Sequence, residues 1–187
     1  MNEIIKKTVK SCSLTALTIF VVLCLFFKPN GVGEIINYIG YSSFVTLIVW
    51  SAYEMFLWKL NPFIKIPRIY GKYKGTLVSS YDNYENEKEI SVDIKQTYST
   101  ISIVAKTNEI TSKSVACNFY FDNGEKILYY NYVTNPQSKY RDKNPVQDGA
   151  CKLIILNVNE IEGNYWTSQK TVGDLKLKRI LKCRNKL

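Results

Sequence analysis

The sequence predicts a membrane-anchored all-β protein: an N-terminal two-helix transmembrane hairpin, then an eight-stranded antiparallel up-and-down β-barrel. Three observations carry that prediction. Residues 11–27 and 35–53 form two apolar runs without a charge, separated only by the short segment 28–34. From Ile69 onward Val, Ile, Thr, Tyr and Phe dominate short runs broken by Asn, Asp, Gly and Pro, the composition of strands and turns. No helical period interrupts those runs, so successive strands are joined by turns and pair antiparallel.

Each apolar run is long enough to cross a bilayer. At about 1.5 Å per helical residue they reach roughly 25 and 28 Å, against a hydrocarbon core of about 30 Å. The connecting segment holds Pro29, Asn30, Gly31 and Gly33, turn formers that make the helices antiparallel neighbours. A buried soluble helix pair would carry a polar stripe, and neither run has one. A cleaved signal peptide would not lead straight into a second span. Lys6, Lys7 and Lys10 precede the first span, while Lys59, Lys65, Arg68, Lys72 and Lys74 follow the second. The positive-inside rule therefore puts both termini and the β domain in the cytoplasm. Trp50, Tyr53, Phe56 and Trp58 supply an aromatic belt at the inner boundary. Glu54 lies at the same boundary, as a solvated carboxylate or as a polar contact between helices of neighbouring subunits.

Residues 1–60 thus form the hairpin, 61–68 a proline-containing connector, and 69–187 a cytosolic ligand-sensing domain with room for its own core. The chain carries a net charge of +9, of which +7 lies after residue 60. Such a balance suits anionic lipid headgroups or an anionic ligand. The five cysteines are odd in number and include no C-x-x-C, which argues against a disulfide framework or a zinc site. The chain has no histidine, which removes Ser-His-Asp, Cys-His and His-ligated metal chemistry. No carboxylate pair or nucleophile–base pair stands out, so the expectation is a non-enzyme with no cofactor and no metal.

The strands are predicted at 71–80, 89–97, 100–106, 111–121, 126–133, 149–158, 161–171 and 174–182. Most alternate, as Ile90, Val92 and Ile94 do against Ser91, Asp93 and Lys95. Asp122-Asn123-Gly124 and Val172-Gly173-Asp174 suit tight hairpins. A closed barrel leaves no sheet edge, and a two-sheet sandwich is the competing fold. Odd strands run from the connector end to a far end, whose loops are 81–88, 107–110, 134–148 and the turn at Val172-Gly173. The longest carries Lys139, Arg141 and Lys143. The tail at 182–186 returns to the membrane face.

Two resemblances sharpen this outline. Gly71-Lys72-Tyr73 sits where calycin-like (lipocalin-like) barrels have Gly-x-Trp, and Arg179 sits where they lay an arginine across that ring. A guanidinium can cover an aromatic face at the closed end of a barrel. The whole chain is similar to the two-transmembrane β-barrel effectors of bacterial CBASS antiphage defence, the SMODS-associated β-strand-rich family. That likeness rests on order: basic N-terminus, two spans, proline connector, Gly71-Lys72-Tyr73-Lys74-Gly75-Thr76-Leu77, Gln96 ending the second strand, Leu128-Tyr129-Tyr130-Asn131-Tyr132 with Pro136, then Ile161-Glu162-Gly163-Asn164-Tyr165-Trp166-Thr167 with Thr171-Val172-Gly173. It implies a barrel that binds a cyclic dinucleotide made by a CD-NTase-type nucleotidyltransferase. It also implies a homo-oligomer on activation, disruption of the bacterial inner membrane and abortive cell death, with no DNA or RNA polymer as partner.

The residues themselves are compatible with such a ligand. Two phosphates and two base faces call for cations or amide donors and for aromatic or guanidinium planes. The domain offers Tyr129, Tyr130, Tyr132, Tyr140, Tyr165, Trp166 and the basic far-end loop. Among these, Tyr130, Tyr132 and Arg141 are the expected ligand contacts, joined by the hydroxyl and amide groups of Ser112, Ser114, Thr167, Gln169 and Thr171. Thr167, Gln169 and Thr171 would share one face of the seventh strand. On the second span Gly40 and Ser43 permit close helix approach between subunits. The alternative is a membrane-tethered calycin-like carrier for an apolar ligand. Barrel contents separate the two: polar and basic for the first, uniformly apolar for the second.

Overall fold

Helices α1 (Glu3–Phe27) and α2 (Val32–Met55) cover both expected spans, and each is long and apolar enough to cross a membrane. The computed structural model describes residues 3–180, with side chains from Lys6 onward. The two helices pack on each other, and Trp50 Nε1 donates to Thr15 Oγ1 at 3.4 Å across the pair. Ser42 and Thr46 are the buried residues of α2, and their hydroxyls donate back to Ile39 O and Ser42 O. Such back-bonding satisfies a hydroxyl within its own helix. Gly40 and Ser43 point elsewhere. Both are exposed, and a Cβ built on Gly40 would meet nothing within 4 Å.

This helical unit runs to Ile64 and also takes in Thr97–Ser99. Within it, Glu54 Oε1 accepts hydrogen bonds from Thr97 Oγ1 (2.5 Å), Ser99 N (2.9 Å) and Ser99 Oγ (2.6 Å). The carboxylate is therefore held by three donors of its own chain, rather than left to solvent. Of the expected aromatic belt, Phe56 is exposed while Trp58 is fully buried.

The second unit, Lys65–Gln96 with Thr100–Leu187, is a closed barrel. Its strands are β1 (Gly71–Ser79), β2 (Lys88–Gln96), β3 (Ile101–Lys106), β4 (Ile110–Asp122), β5 (Glu125–Pro136), β6 (Asp148–Ile155), β7 (Glu160–Thr167) and β8 (Val172–Arg179). Every neighbour is antiparallel, and β1 closes on β8 from Tyr73↔Arg179 to Ser79↔Gly173. Closure excludes the sandwich. The expected alternation holds: β2 buries Ile90, Val92 and Ile94, and β8 buries Leu175 and Leu177 between exposed lysines.

One end of the barrel is sealed by side chains. Tyr73 is fully buried and its hydroxyl donates to Val158 O at 2.8 Å. Buried Gln96 accepts from Ile69 N at 2.9 Å and donates from Nε2 to Pro67 O at 2.8 Å, tying the connector to the end of β2. Arg179 donates to Tyr70 O and its guanidinium lies 5.3 Å from the Tyr70 ring. The calycin-like closure is thus present with its aromatic partner displaced: the arginine covers Tyr70 rather than Tyr73.

Three expectations are corrected by the backbone. β7 stops at Thr167 and does not reach Thr171. Residues 168–171 make the turn instead, with Thr167 N donating to Thr171 O at 2.9 Å and Lys170 at φ 62°. Gln169 is exposed on that turn, so it shares no strand face with Thr167. Gly173 belongs to β8 rather than to the turn. On β4 a bulge separates Ser114 from Ala116, and Ser114 Oγ accepts from Ile103 N at 2.9 Å where the β3–β4 ladder has ended. The expected return of the 182–186 tail lies outside the described residues.

Replacing Gln96 by Leu leaves Ile69 N and Pro67 O buried without their partner. Each such group costs about 1–3 kcal/mol. Gln96→Leu is expected to lower unfolding stability by roughly 2 kcal/mol or more in a denaturant titration. A variant as stable as the parent would show that Gln96 does not hold the closed end.

Candidate functional site

Along β5 the inward positions read Leu128, Tyr130, Tyr132, Thr134, and along β7 they read Ile161, Gly163, Tyr165, Thr167. Apolar residues fill the sealed end, tyrosines the middle, and hydroxyls the rim. Above the tyrosines the barrel holds a cavity of about 870 Å³, its open mouth included. The mouth is framed by Tyr81 and Lys88, by Thr107 and Glu109, by Asn144 and Gln147, and by Thr167 and Thr171. These come from all four far-end connections, as the strand directions require.

Close approach of backbone makes room for the tyrosines. A Cβ on Gly149 would sit 2.4 Å from the Tyr132 ring, and one on Gly173 would sit 2.5 Å from the Tyr165 ring and 2.1 Å from Val78 O. Gly173 is thus required for packing, which is why it does not mark a turn. Tyr130 and Tyr132 lie with ring centroids 5.8 Å apart. Burial pushes the phenols of Tyr130, Tyr132 and Tyr165 up, and pushes the Cys151 thiol up to about 12. All three phenols remain neutral O–H donors through the physiological range.

The rim is cross-braced. Thr134 N donates to Gln147 O and Gln147 N donates to Thr134 Oγ1, both at 2.9 Å, which carries the β5–β6 pairing one step beyond its strands. Thr107 Oγ1 accepts from Glu109 N (3.3 Å) and Ile110 N (3.1 Å). Gln137 N donates to Glu109 O at 2.9 Å, and Asn144 Nδ2 to Glu109 Oε2 at 3.3 Å. Lys88 Nζ lies 3.7 Å from Asp82 Oδ2 and 5.7 Å from the Tyr81 ring centroid. Two lining atoms, Gln147 Oε1 and Thr167 Oγ1, are buried with no hydrogen-bond partner among the described residues. Buried polar atoms of native proteins are paired with protein groups or with ordered water.

Of the residues expected from sequence, Tyr130, Tyr132, Ser112, Thr167 and Thr171 come together in the lining. Ser114, Arg141 and Gln169 do not. Ser114 is taken up by the bulge, Arg141 is exposed at the end of a short 3-10 turn, and Gln169 is on the β7–β8 turn. Trp166 and Tyr129 point outward, at 43% and 39% exposure. The lining carries polar groups on a mainly apolar surface and is not basic: among the described residues Lys88 is its one cation and Glu109 its one carboxylate. Tyr165 was named only as a general aromatic, and Gln147, Glu109 and Lys88 were missed. They sit at loop ends, where no periodicity marks an inward direction.

Residues 64–179 match the family described as Cap15, cyclic dinucleotide receptor domain. Over 184 residues the chain is 36% identical to CD-NTase-associated protein 15 of Staphylococcus schleiferi, which covers 96% of this chain and 97% of that protein. A solved redesigned β-barrel overlaps 60% of this chain and 92% of its own at a TM-score of 0.45 and 9% identity, an overlap too slight to carry weight.

The buried phenols give the barrel a signature in alkali. A folded-state phenol raised above its unfolded value of about 10 holds its proton where the unfolded chain has lost it. Stability is then level through neutral pH and falls as pH rises past about 10. Tyr130→Phe is expected to make that fall shallower in a pH series of melting temperatures. An unchanged slope would mean that this phenol is not buried in the folded barrel.

Proposed function

This chain belongs to the Cap15 family of CBASS effectors, and on that premise we propose that it is a membrane-anchored receptor whose barrel cavity binds a cyclic dinucleotide. One observation supports the ligand's chemistry above the others: Ser112, Thr134, Thr167 and Thr171, with Asn144 and Gln147, share one cavity lining with Tyr81, Tyr130, Tyr132 and Tyr165. Tyr81, Tyr130, Tyr132 and Tyr165 supply ring faces and hydroxyl donors, and Lys88 a charge for one phosphate. Ser112, Thr167 and Thr171 add hydroxyls at the rim. A carrier for an apolar ligand has no use for the hydroxyl and amide groups among the lining residues, which weighs against it.

The ligand comes from a CD-NTase-type nucleotidyltransferase, and no nucleic-acid polymer takes part. The chain sits in the bacterial inner membrane with both termini and the barrel in the cytoplasm. It acts by assembly rather than by catalysis. Ligand binding favours an associated state, which requires tighter binding to that state than to the resting one. The outward small residues Gly40 and Ser43 then allow helices of neighbouring subunits to approach, and the clustered helices breach the membrane and kill the infected cell.

Full-length protein in detergent, titrated calorimetrically with cyclic dinucleotides, tests the receptor. Thr167→Leu with Thr171→Leu is expected to weaken binding at least about tenfold with an unchanged melting temperature. Arg141→Glu, outside the lining, is expected to change it less than about twofold. Binding of fatty acids with no response to any cyclic dinucleotide would instead make the protein a carrier. In cells supplied with the activating nucleotide, Gly40→Leu with Ser43→Leu is expected to abolish subunit crosslinking and killing while barrel affinity is kept. Killing at the parent rate would exclude this face as the contact.

A further inference from the structure

We infer that Glu109 makes the cavity selective for a guanine base, by accepting hydrogen bonds from two adjacent ring donors. The inference rests on the cyclic dinucleotide reading and goes on to the base that the receptor prefers.

The starting point is a charge that an anion receptor should not want. Glu109 is the carboxylate of the lining, Lys88 is its cation, and Lys88 is already within 3.7 Å of Asp82. A ligand with two phosphates is repelled by a carboxylate in its cavity, the more so where water is excluded. Such a group is tolerable if it accepts hydrogen bonds from the ligand itself. Among the described residues Glu109 has no ion pair within 4.0 Å, and its side chain receives one hydrogen bond, from Asn144 Nδ2. Its acceptor capacity is largely unspent, since an ionised carboxylate offers about four lone-pair sites.

The group is also held in place. Its N–H donates to Thr107 Oγ1 and its C=O accepts from Gln137 N, so the backbone beneath the carboxylate is fixed on both sides. Asn144, which orients the carboxylate, is followed three residues later by Gln147, whose Oε1 is the buried unpartnered acceptor.

The bases differ in what they offer to paired acceptors. Guanine presents N1–H and N2–H side by side on its Watson–Crick edge. Adenine sets its N6–H beside the N1 lone pair, cytosine sets N4–H beside N3, and uracil flanks N3–H with two carbonyls. A carboxylate meets two donors on guanine alone, and on the others it meets a lone pair that repels it.

The test uses full-length protein in detergent with three probes: cyclic di-GMP, cyclic di-AMP and mixed cyclic GMP–AMP. The two guanine-bearing probes are expected to bind at least about tenfold tighter than cyclic di-AMP. Glu109→Gln keeps the size of the side chain and removes its charge. It is expected to weaken both guanine-bearing probes at least about tenfold, and to leave cyclic di-AMP unchanged or tighter, at an unaltered melting temperature. Cyclic di-AMP binding as tightly as the guanine probes, or a variant that weakens all three alike, would overturn the assignment while leaving the receptor standing. Failure of all three probes where a pyrimidine-bearing cyclic dinucleotide binds would overturn the base preference alone, and failure of every cyclic dinucleotide would remove the receptor reading with it.

Discussion

The hydrogen-bonded ladder between β1 and β8 is the constraint on which the barrel depends. By pairing Tyr73 with Arg179 and Ser79 with Gly173 it closes the sheet and fixes which side chains face in. Because side chains alternate, a slip of one residue would send every tyrosine and hydroxyl of a strand to the outer surface. Closure also orders the interior along its axis. Tyr73, Ile69 and Gln96 seal one end with every polar atom paired that the structure records there. At the other end the hydroxyls of Thr134 and Thr107 are spent on bracing the rim, while Gln147 Oε1 and Thr167 Oγ1 remain unspent. The barrel is a packed core below and a cup with a polar rim above.

That gradient explains why one small domain can be both stable and receptive. Stability comes from the lower layers, where Leu128, Leu153, Ile161 and Leu177 lie at or near zero exposure. The tyrosine layer joins the two: each ring adds apolar area to the core, and burial keeps its hydroxyl neutral, that of Tyr130 paired with the Cys151 side chain and that of Tyr165 with Ser79. The lining holds hydrogen-bonding groups and, among the described residues, a single lysine rather than a basic patch, despite the net charge of +9. The excess positive charge lies on outward-facing groups such as Lys176 and Lys178.

Periodicity made most of this legible from the sequence. Alternation fixed the strands and hence the inward set Tyr130, Tyr132 and Thr167, because period two is dictated by the backbone itself. What failed lay where period two stops. Gly173 reads as a turn residue, yet it is spent on admitting the Tyr165 ring, and the turn uses Lys170 at positive φ instead. Ser114 falls at a bulge, which reverses the parity of everything beyond it. Arg141 looked attractive by charge alone, but charge says nothing of direction. Glu109 is held by loop hydrogen bonds from Gln137 and Asn144, and Gln147 by its bonds with Thr134 across the β5–β6 connection, pairings that local pattern cannot reveal.

The central claim is that the cup of the barrel receives the ligand. The chain has four glutamines, and they sample the relevant places: Gln147 in the lining, Gln96 at the sealed end, and Gln137 and Gln169 outside the cavity. Side-chain amide resonances of glutamine-labelled full-length protein, recorded as a cyclic dinucleotide is added, read all four at once. The account predicts that Gln147 shifts while Gln96 and Gln169 stay in place. A stationary Gln147 in protein that has bound the nucleotide would contradict it.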